Sequence, residues 1–477
     1  MASVVHVTSE VVPYSKTGGL ADVSAALPEA LTRLGHRVVV VTPMYSIVDR
    51  ASQGIRPTGL RFPVSLGTRS CDFAVFQSEL PAGTVVYHLE CDEWYGRSEL
   101  YGTREGDYPD NHLRFAFFAA AALRLVRELD LRPDVIHGHD WQAGLVPAFN
   151  RLNPVGSAGV VMTVHNLAYK GLFDSGAVSE VGLPWDMFRP GQGGEYWGRL
   201  SFLKTGLVFA DAVTTVSPTY ASEVLGPEGG MGMDGILRDL GDRFSGILNG
   251  ADYGAWDPSI DTWLPARYDR ANLSGKSVCR SHLLETFGLS EPNGPLFGIV
   301  GRLVAQKGYD MVAACLDDLV ASGGALVVLG SGDLAVEESI RDAAGRHPGR
   351  VGLRFTYDEG LAHLIEAGSD YFLMPSRFEP CGLNQIYSMR YGTLPIVHAT
   401  GGLEDTVRDI DEVPSGGTGL KFRSFESSEL ACAIRRARAL WDDRDAMARA
   451  VQCAMLQDFS WEKSARLYGE LYQRVAR

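Results

Sequence analysis

Short runs of β-branched and other apolar residues recur along the chain, and longer stretches of helical periodicity separate them. Val4 to Glu10, Val38 to Thr42, Asp134 to Gly138, Gly159 to His165 and Ala212 to Ser217 read as strands, with Ala21–Leu34 and Asn111–Leu129 as amphipathic helices between them. The pattern then restarts: Leu296–Val300, Ala325–Leu329, Val351–Phe355, Tyr371–Met374 and Leu394–Val397 form a second set of strands. Asp310–Ala321, Leu334–Gly345 and Leu361–Ala367 are the helices of that set. Strands that are apolar throughout, with helices between them, indicate parallel sheets covered on both faces. The expected fold class is therefore α/β, with two doubly wound Rossmann-like domains. Their join is expected in ILNGADYGAWDPSID, giving domains 1–246 and 247–456, and 457–477 reads as a last helix with Leu467, Leu471 and Val475 on one face. No solenoid period or heptad array is present.

In open parallel sheets, ligands bind beyond the carboxyl ends of the strands. Unusual polar residues fall at such ends seven times, in both domains, which predicts a cleft between them. The first strand runs into Lys16-Thr17-Gly18-Gly19, DVIHGHDW carries His137, His139 and Asp140, and VVMTVHN ends in His165 and Asn166. In the second half, GRLVAQKG carries Arg302 and Lys307, GSGD spans Gly330 to Asp333, SRFEPCGL carries Glu379 and Cys381, and TGG is Thr400 to Gly402. The motif Thr-Gly-Gly-Leu-x-Asp thus occurs once per half. Each copy precedes a helix, so backbone N–H groups are expected to hold an anion from both sides. Ordinary strand-to-helix turns are the alternative. Arg302 and Lys307, with no acid adjacent in sequence, suit a diphosphate. Glu379 suits sugar hydroxyls or positive charge at an anomeric carbon; a structural ion pair with Arg377 is the alternative. Cys381 has no partner base and reads as a small residue packed beside the site.

Three other signals read differently. HGHD has a spacing found in metal hydrolases, but further ligands are lacking and no metal is expected. Asp409-Ile-Asp411 spells a metal–diphosphate motif inside an acidic loop and reads as surface. GSGD is a fragment of the dinucleotide fingerprint without the remainder.

The length of 477 residues suits two domains, and a net charge of -14 argues against a general nucleic-acid binder. Seven scattered cysteines without CxxC suggest free thiols. No apolar run reaches membrane-spanning length, and the N-terminus enters a strand at once, so a cytoplasmic location is expected. Of only seven lysines, Lys16, Lys170, Lys204 and Lys307 lie in the segments singled out by motif.

KTGGLADV, HGHDWQAGL, TVHNLAYKG, ILNGADYGAWDP, GRLVAQKG, SRFEPCGLNQ, YGTLPIV and TGGLEDTV occur in this order. Across nearly the whole chain they resemble the bacterial glycogen synthase and plant starch synthase family of retaining glucosyltransferases. The resemblance implies the GT-B architecture, with the C-terminal helix returning to the first domain. It implies transfer of glucose from ADP-glucose to the non-reducing 4-hydroxyl of an α-1,4-glucan such as glycogen, with no metal or other cofactor. Matching by motif, Lys16, Gly18, Gly19 and Asp22 would meet the nucleotide sugar, and Arg302 and Lys307 would neutralise its phosphates. Glu379, His165 and Asn166 would contact the glucosyl unit, and Asp140 would lie on the glucose or acceptor side. Tyr357 would stack on the base. Thr400, Gly401, Gly402 and Leu403 would close over sugar and phosphate, with Asn249, Cys381, Gly382 and Leu383 lining the site. CDEWYGRSELYG follows the family loosely, leaving Tyr95 and Tyr101 as weaker candidates. With no second carboxylate to serve as nucleophile, the expected mechanism is front-face displacement with domain closure. Open alternatives are UDP-glucose as donor, a sucrose- or trehalose-type acceptor, a phosphorylase carrying pyridoxal phosphate, and a non-catalytic glucan-binding protein.

Overall fold

The computed structural model describes every residue except Arg104 and Arg477. The chain folds as two units: Met1–Gly250 together with the C-terminal helix Trp461–Val475, and Ala251–Ser460.

The first unit is built on a nine-stranded sheet. From one edge its strands run Phe244–Gly246, Ala212–Thr215, Gly159–Val164, Val135–His139, Ser3–Val7, Arg37–Pro43, Val85–Glu90, Arg69–Glu79 and Arg56–Leu66. The first seven are parallel; the last two add antiparallel pairings. The antiparallel hairpin is absent from the apolar reading of the sequence for a physical reason. Its outer strand alternates buried and exposed positions over Phe62 to Leu66 and carries Pro57 and Pro63. Proline is tolerated there because an edge strand leaves part of its N–H row unpaired. The C-terminal helix buries Trp461, Ala465, Tyr468, Leu471, Tyr472 and Val475 against Val4, Leu27, Leu31 and Val161. Their spacing of three or four residues makes one apolar face.

The second unit has a six-stranded, wholly parallel sheet in the order Val351–Arg354, Ala325–Leu329, Leu296–Val300, Tyr371–Met374, Leu394–His398, Leu420–Phe422. In each sheet the strand that opens the doubly wound pattern has neighbours on both sides whose connections run in opposite directions. Ser3–Val7 lies between Arg37–Pro43 and Val135–His139. Leu296–Val300 lies between Ala325–Leu329 and Tyr371–Met374. Such switch points open a crevice at the carboxyl ends of the strands.

Candidate functional site

The crevice of the first unit collects Glu10, the glycine turn and the histidine-bearing strand ends. Gly18 is the extended residue preceding the helix Gly19–Arg33 and offers no side-chain cap. The turn is held from below by Glu10, a buried carboxylate. Its Oε2 accepts from Thr17 N at 2.5 Å and Gly18 N at 3.3 Å, and its Oε1 accepts from Thr17 Oγ1 and Tyr101 Oη, both at 2.6 Å. This corrects the picture of a turn with all its N–H groups directed at a ligand: the Gly18 N–H already has an anionic acceptor. A Cβ on Gly18 or Gly19 would nevertheless meet nothing within 4 Å. Packing within the unit does not demand glycine there, and the space beside the turn is open. Lys16 leaves this loop for Asp22, Nζ to Oδ1 at 2.9 Å, and both side chains are part-exposed. Glu10 escaped the sequence reading because it was counted as the end of a strand, although the strand stops at Val7. Of the two weaker tyrosine candidates, Tyr101 joins this cluster. Tyr95 belongs to the core, where its hydroxyl donates to Arg114 O.

Asp140 ends the strand Val135–His139 with φ 55° and ψ -174°. A non-glycine residue in that region is strained by a few kcal/mol, and such strain concentrates at functional sites. The peptide is held there: Asp140 N donates to Thr163 O, and Asp140 Oδ1 accepts from His165 N at 2.7 Å. Burial pushes its carboxyl up to about 7, against the opposing hydrogen bonds from the His165 and Asn166 backbone. Beneath it lie four imidazoles. His165 meets His139 at 3.1 Å, His139 meets His6 at 2.9 Å, and His137 bonds Tyr472 Oη at 2.8 Å and Thr163 Oγ1 at 2.6 Å. Burial lowers His6 and His165 to about 3 and holds His137 and His139 well below the usual range, so all four rings are neutral. Asn166 is part-exposed, and its Oδ1 accepts from Ala168 N. Asn249 is buried with its Oδ1 unpaired among the described residues.

The crevice of the second unit holds Lys307, Glu379 and the second glycine turn. Lys307 Nζ donates to Glu379 Oε2 at 2.5 Å, and Ser376 Oγ donates to the same oxygen at 2.9 Å. The expectation that Lys307 has no acid nearby is therefore corrected; its partner comes from a strand end 72 residues later. The alternative pairing of Glu379 with Arg377 is not formed, since Arg377 stacks on Phe425 with its guanidinium 4.1 Å from the ring centre. Arg302 is exposed and has no carboxylate partner among the described residues. Buried Tyr309 senses both Glu379 and Arg302; desolvation raises its phenol, and the two charges act in opposite directions.

The second glycine turn differs physically from the first. Gly401 has φ 45°, and a Cβ there would lie 2.0 Å from Glu379 O; one on Gly402 would lie 2.1 Å from Cys381 O. Gly402 N donates to Glu379 O at 3.1 Å. Here glycine is required by close packing, and the turn locks the backbone of the Glu379 loop. Its Gly402 N–H is not available to an anion, which corrects the expected symmetry between the two turns. Thr400 precedes the short helix Gly401–Thr406, Leu403 is fully buried, Cys381 is buried, Gly382 has φ 71°, and Leu383 precedes the helix Asn384–Arg390. Tyr357 stands 73% exposed with its hydroxyl bonded to Glu359. GSGD braces the cation loop: Leu303 N donates to Ser331 O, and Asp333 N donates to Leu303 O. Asp409 and Asp411 are both taken by Arg436. Lys204, singled out by motif, is buried in the first unit and donates to Glu195 O.

The family model of the starch synthase catalytic domain matches residues 3–239, and that of glycosyl transferases group 1 matches residues 285–452. The chain is 48% identical to a glycogen synthase of Anaeromyxobacter sp. (strain Fw109-5), covering 99% of both chains. It is 46% identical to one of Myxococcus xanthus (strain DK1622), covering 98% of each. Among solved structures, the catalytic domain of starch synthase IV from Arabidopsis thaliana, bound to ADP and acarbose, superposes with TM-score 0.93 at 34% identity, covering 100% of this chain and 99% of that one. A sucrose-phosphate synthase from Thermosynechococcus elongatus, at 20% identity and TM-score 0.63 over 99% of both chains, shares the fold.

Proposed function

The chain belongs to the glycogen synthase and starch synthase family of GT-B glycosyltransferases, and on that premise we propose that it extends an α-1,4-glucan. Glucose is transferred from ADP-glucose to the non-reducing 4-hydroxyl with retention of configuration. The observation that carries this reading is the set Lys307–Glu379–Ser376 beside an exposed Arg302 that has no carboxylate partner among the described residues. Cleaving a glucosyl nucleoside diphosphate adds one negative charge to the leaving diphosphate while positive charge develops on the sugar. Preoriented cations and a carboxylate supply both kinds of stabilisation. Arg302 takes phosphate oxygens through its planar fork, and Lys307 adds a point charge. Glu379 faces the sugar, and its geometry is fixed by Ser376 and by the Gly402 contact with its own carbonyl.

The first unit supplies the Lys16–Gly19 turn, Asp140, His165 and Asn166 to donor sugar and acceptor. Tyr357 offers its ring face to the base, and Asn249 offers an unpaired amide oxygen. The chemistry needs no metal in this reading: arginine and lysine neutralise the diphosphate, and the acidic pair Asp409–Asp411 is already neutralised by Arg436. Among the described residues no helix is long and apolar enough to cross a membrane. The seven cysteines are free thiols, which suits a reducing compartment, and we place the protein in the cytoplasm.

Incorporation of labelled glucose into glycogen from ADP-glucose and from UDP-glucose tests this. Transfer from ADP-glucose with release of ADP is the expected result. Transfer only to free sugars, or only from UDP-glucose, would refute it.

A further inference from the structure

The four buried imidazoles form more than a packed cluster. Starting from the ligand side, His165 Nε2 meets His139 Nδ1 at 3.1 Å, and His139 Nε2 meets His6 Nδ1 at 2.9 Å. His6 Nε2 lies 3.4 Å from Tyr472 Oη, which lies 2.8 Å from His137 Nδ1. His137 Nε2 meets Thr163 Oγ1 at 2.6 Å, and Thr163 Oγ1 meets Thr214 Oγ1 at 2.6 Å. Every member except His165 is fully buried.

A neutral imidazole has one N–H and one lone pair, and a hydroxyl has one proton to give. Two proton arrangements run the row in one direction throughout; a threonine or tyrosine hydroxyl that accepted from both neighbours would leave its own buried proton without an acceptor among the described residues. In one, every donor points toward His165: Thr214 donates to Thr163, Thr163 to His137, His137 to Tyr472, Tyr472 to His6, His6 to His139, and His139 to His165 Nε2. In the other, every donor points away. The second leaves the Thr214 hydroxyl proton, fully buried, with no acceptor among the described residues. An unpaired buried donor is costly enough to decide between the two.

We infer that this row fixes the tautomer of His165, leaving its remaining nitrogen, Nδ1, as an N–H donor toward the ligand. Tyr472, His6, His137 and His139 are positioning residues for that ring. The inference rests on His165 facing the ligand. It gives the C-terminal helix a role in the site, because Tyr472 joins the two arms of the row. The low proton affinity of these rings agrees with it, since an extra proton would set two donors face to face. The ligand-capable nitrogens of His6, His137 and His139 also lie within 4.8 Å of one another. All six of their ring nitrogens are committed to the row, so a metal ion there would have to break it.

Long-range proton–nitrogen spectra of the full-length chain labelled at histidine nitrogens read the tautomers directly. At neutral pH the expected result is Nδ1–H on all four rings. Thr163→Val keeps the side-chain shape and leaves His137 Nε2 without a hydroxyl partner in either arrangement, removing the proton that decides between them, and is expected to add a second tautomer at His165. Tyr472→Phe is expected to lower kcat for glucosyl transfer about tenfold while KM for ADP-glucose stays within about twofold. An Nε2–H tautomer at His165 in the unaltered protein would overturn the inference. So would an unchanged His165 tautomer in Thr163→Val, or stoichiometric metal bound by the three imidazoles. If Tyr472→Phe does not fold, Thr163→Val still decides. Full activity in His165→Ala would defeat the ligand-facing reading separately, whatever the spectra show.

Discussion

Lowering the pH from 7.5 to 5.5 is expected to destabilise the first unit strongly while its fold is still formed. Five of its histidines, His6, His88, His137, His139 and His165, are held neutral by burial, which lowers His6, His88 and His165 to about 3. In the unfolded chain each ring titrates near about 6.5. Their folded values are depressed, so the unfolded state binds more protons below about 6.5. Stability is fully present above that pH and is lost as pH falls toward the folded values. At pH 5.5 each ring contributes about 1.4 kcal/mol of lost stability, or about 7 kcal/mol for the five as an upper figure. Asp140 works in the other direction. Its carboxyl is raised to about 7, so acidification relieves the cost of a buried carboxylate and returns about 2 kcal/mol over the same interval. The net loss of about 5 kcal/mol is comparable to the whole stability of many domains. Calorimetry at pH 7.5, 6.5 and 5.5, in buffers of different ionisation enthalpy, gives both the shift in unfolding temperature and the protons taken up. Uptake of about 3 to 4 protons on unfolding at pH 5.5 is expected. Uptake near zero, with an unfolding temperature unchanged across the range, would show that the rings are already charged in the fold, and the reasoning would fail.

Glu379→Gln keeps the shape of the side chain and removes its charge, and glucosyl transfer is expected to fall by about two to three orders of magnitude; near-normal turnover would remove Glu379 from the mechanism. Lys307→Ala strands a nearly buried carboxylate and should cost about 3 kcal/mol in urea unfolding. Arg302→Ala, at an exposed unpaired position, should stay within about 0.5 kcal/mol yet weaken ADP binding, measurable by calorimetric titration. Gly18→Ala should leave the unfolding midpoint unchanged and raise KM for ADP-glucose. Gly401→Ala should lose at least about 2 kcal/mol of stability, because its Cβ collides with the Glu379 carbonyl.

The parallel strands and the polar residues at their ends were legible in the sequence because both signals are local. An apolar run of five residues announces a doubly covered strand, and the chemistry follows where it stops. The antiparallel hairpin Arg56–Glu79 was not legible, since half-exposed edge strands carry weaker periodicity and here also prolines. The same limit governed the site. Lys307 and Arg302 could be read as cations, but the partner of Lys307 lies in another strand end, and only the fold brings Glu379 to it. The two Thr-Gly-Gly turns looked equivalent because the motif is identical. Their surroundings differ: open space at Gly18, and a carbonyl in van der Waals conflict with any side chain at Gly401. Glu10 and Tyr472 carried no motif at all; their importance is a matter of what the fold places against them.

The helix that completes the first unit is made only after the whole of the second. During synthesis Ala251–Ser460 is continuous and can close as soon as it has left the ribosome, whereas the surface formed by Val4, Leu27, Leu31 and Val161 waits for Trp461–Val475. Throughout that interval the nascent protein carries an unfinished apolar groove that this helix later fills. A message truncated after Ser460 would yield one finished unit tethered to a sticky, incomplete one. Quality control of the first unit is in effect a check on the fifteen residues Trp461–Val475.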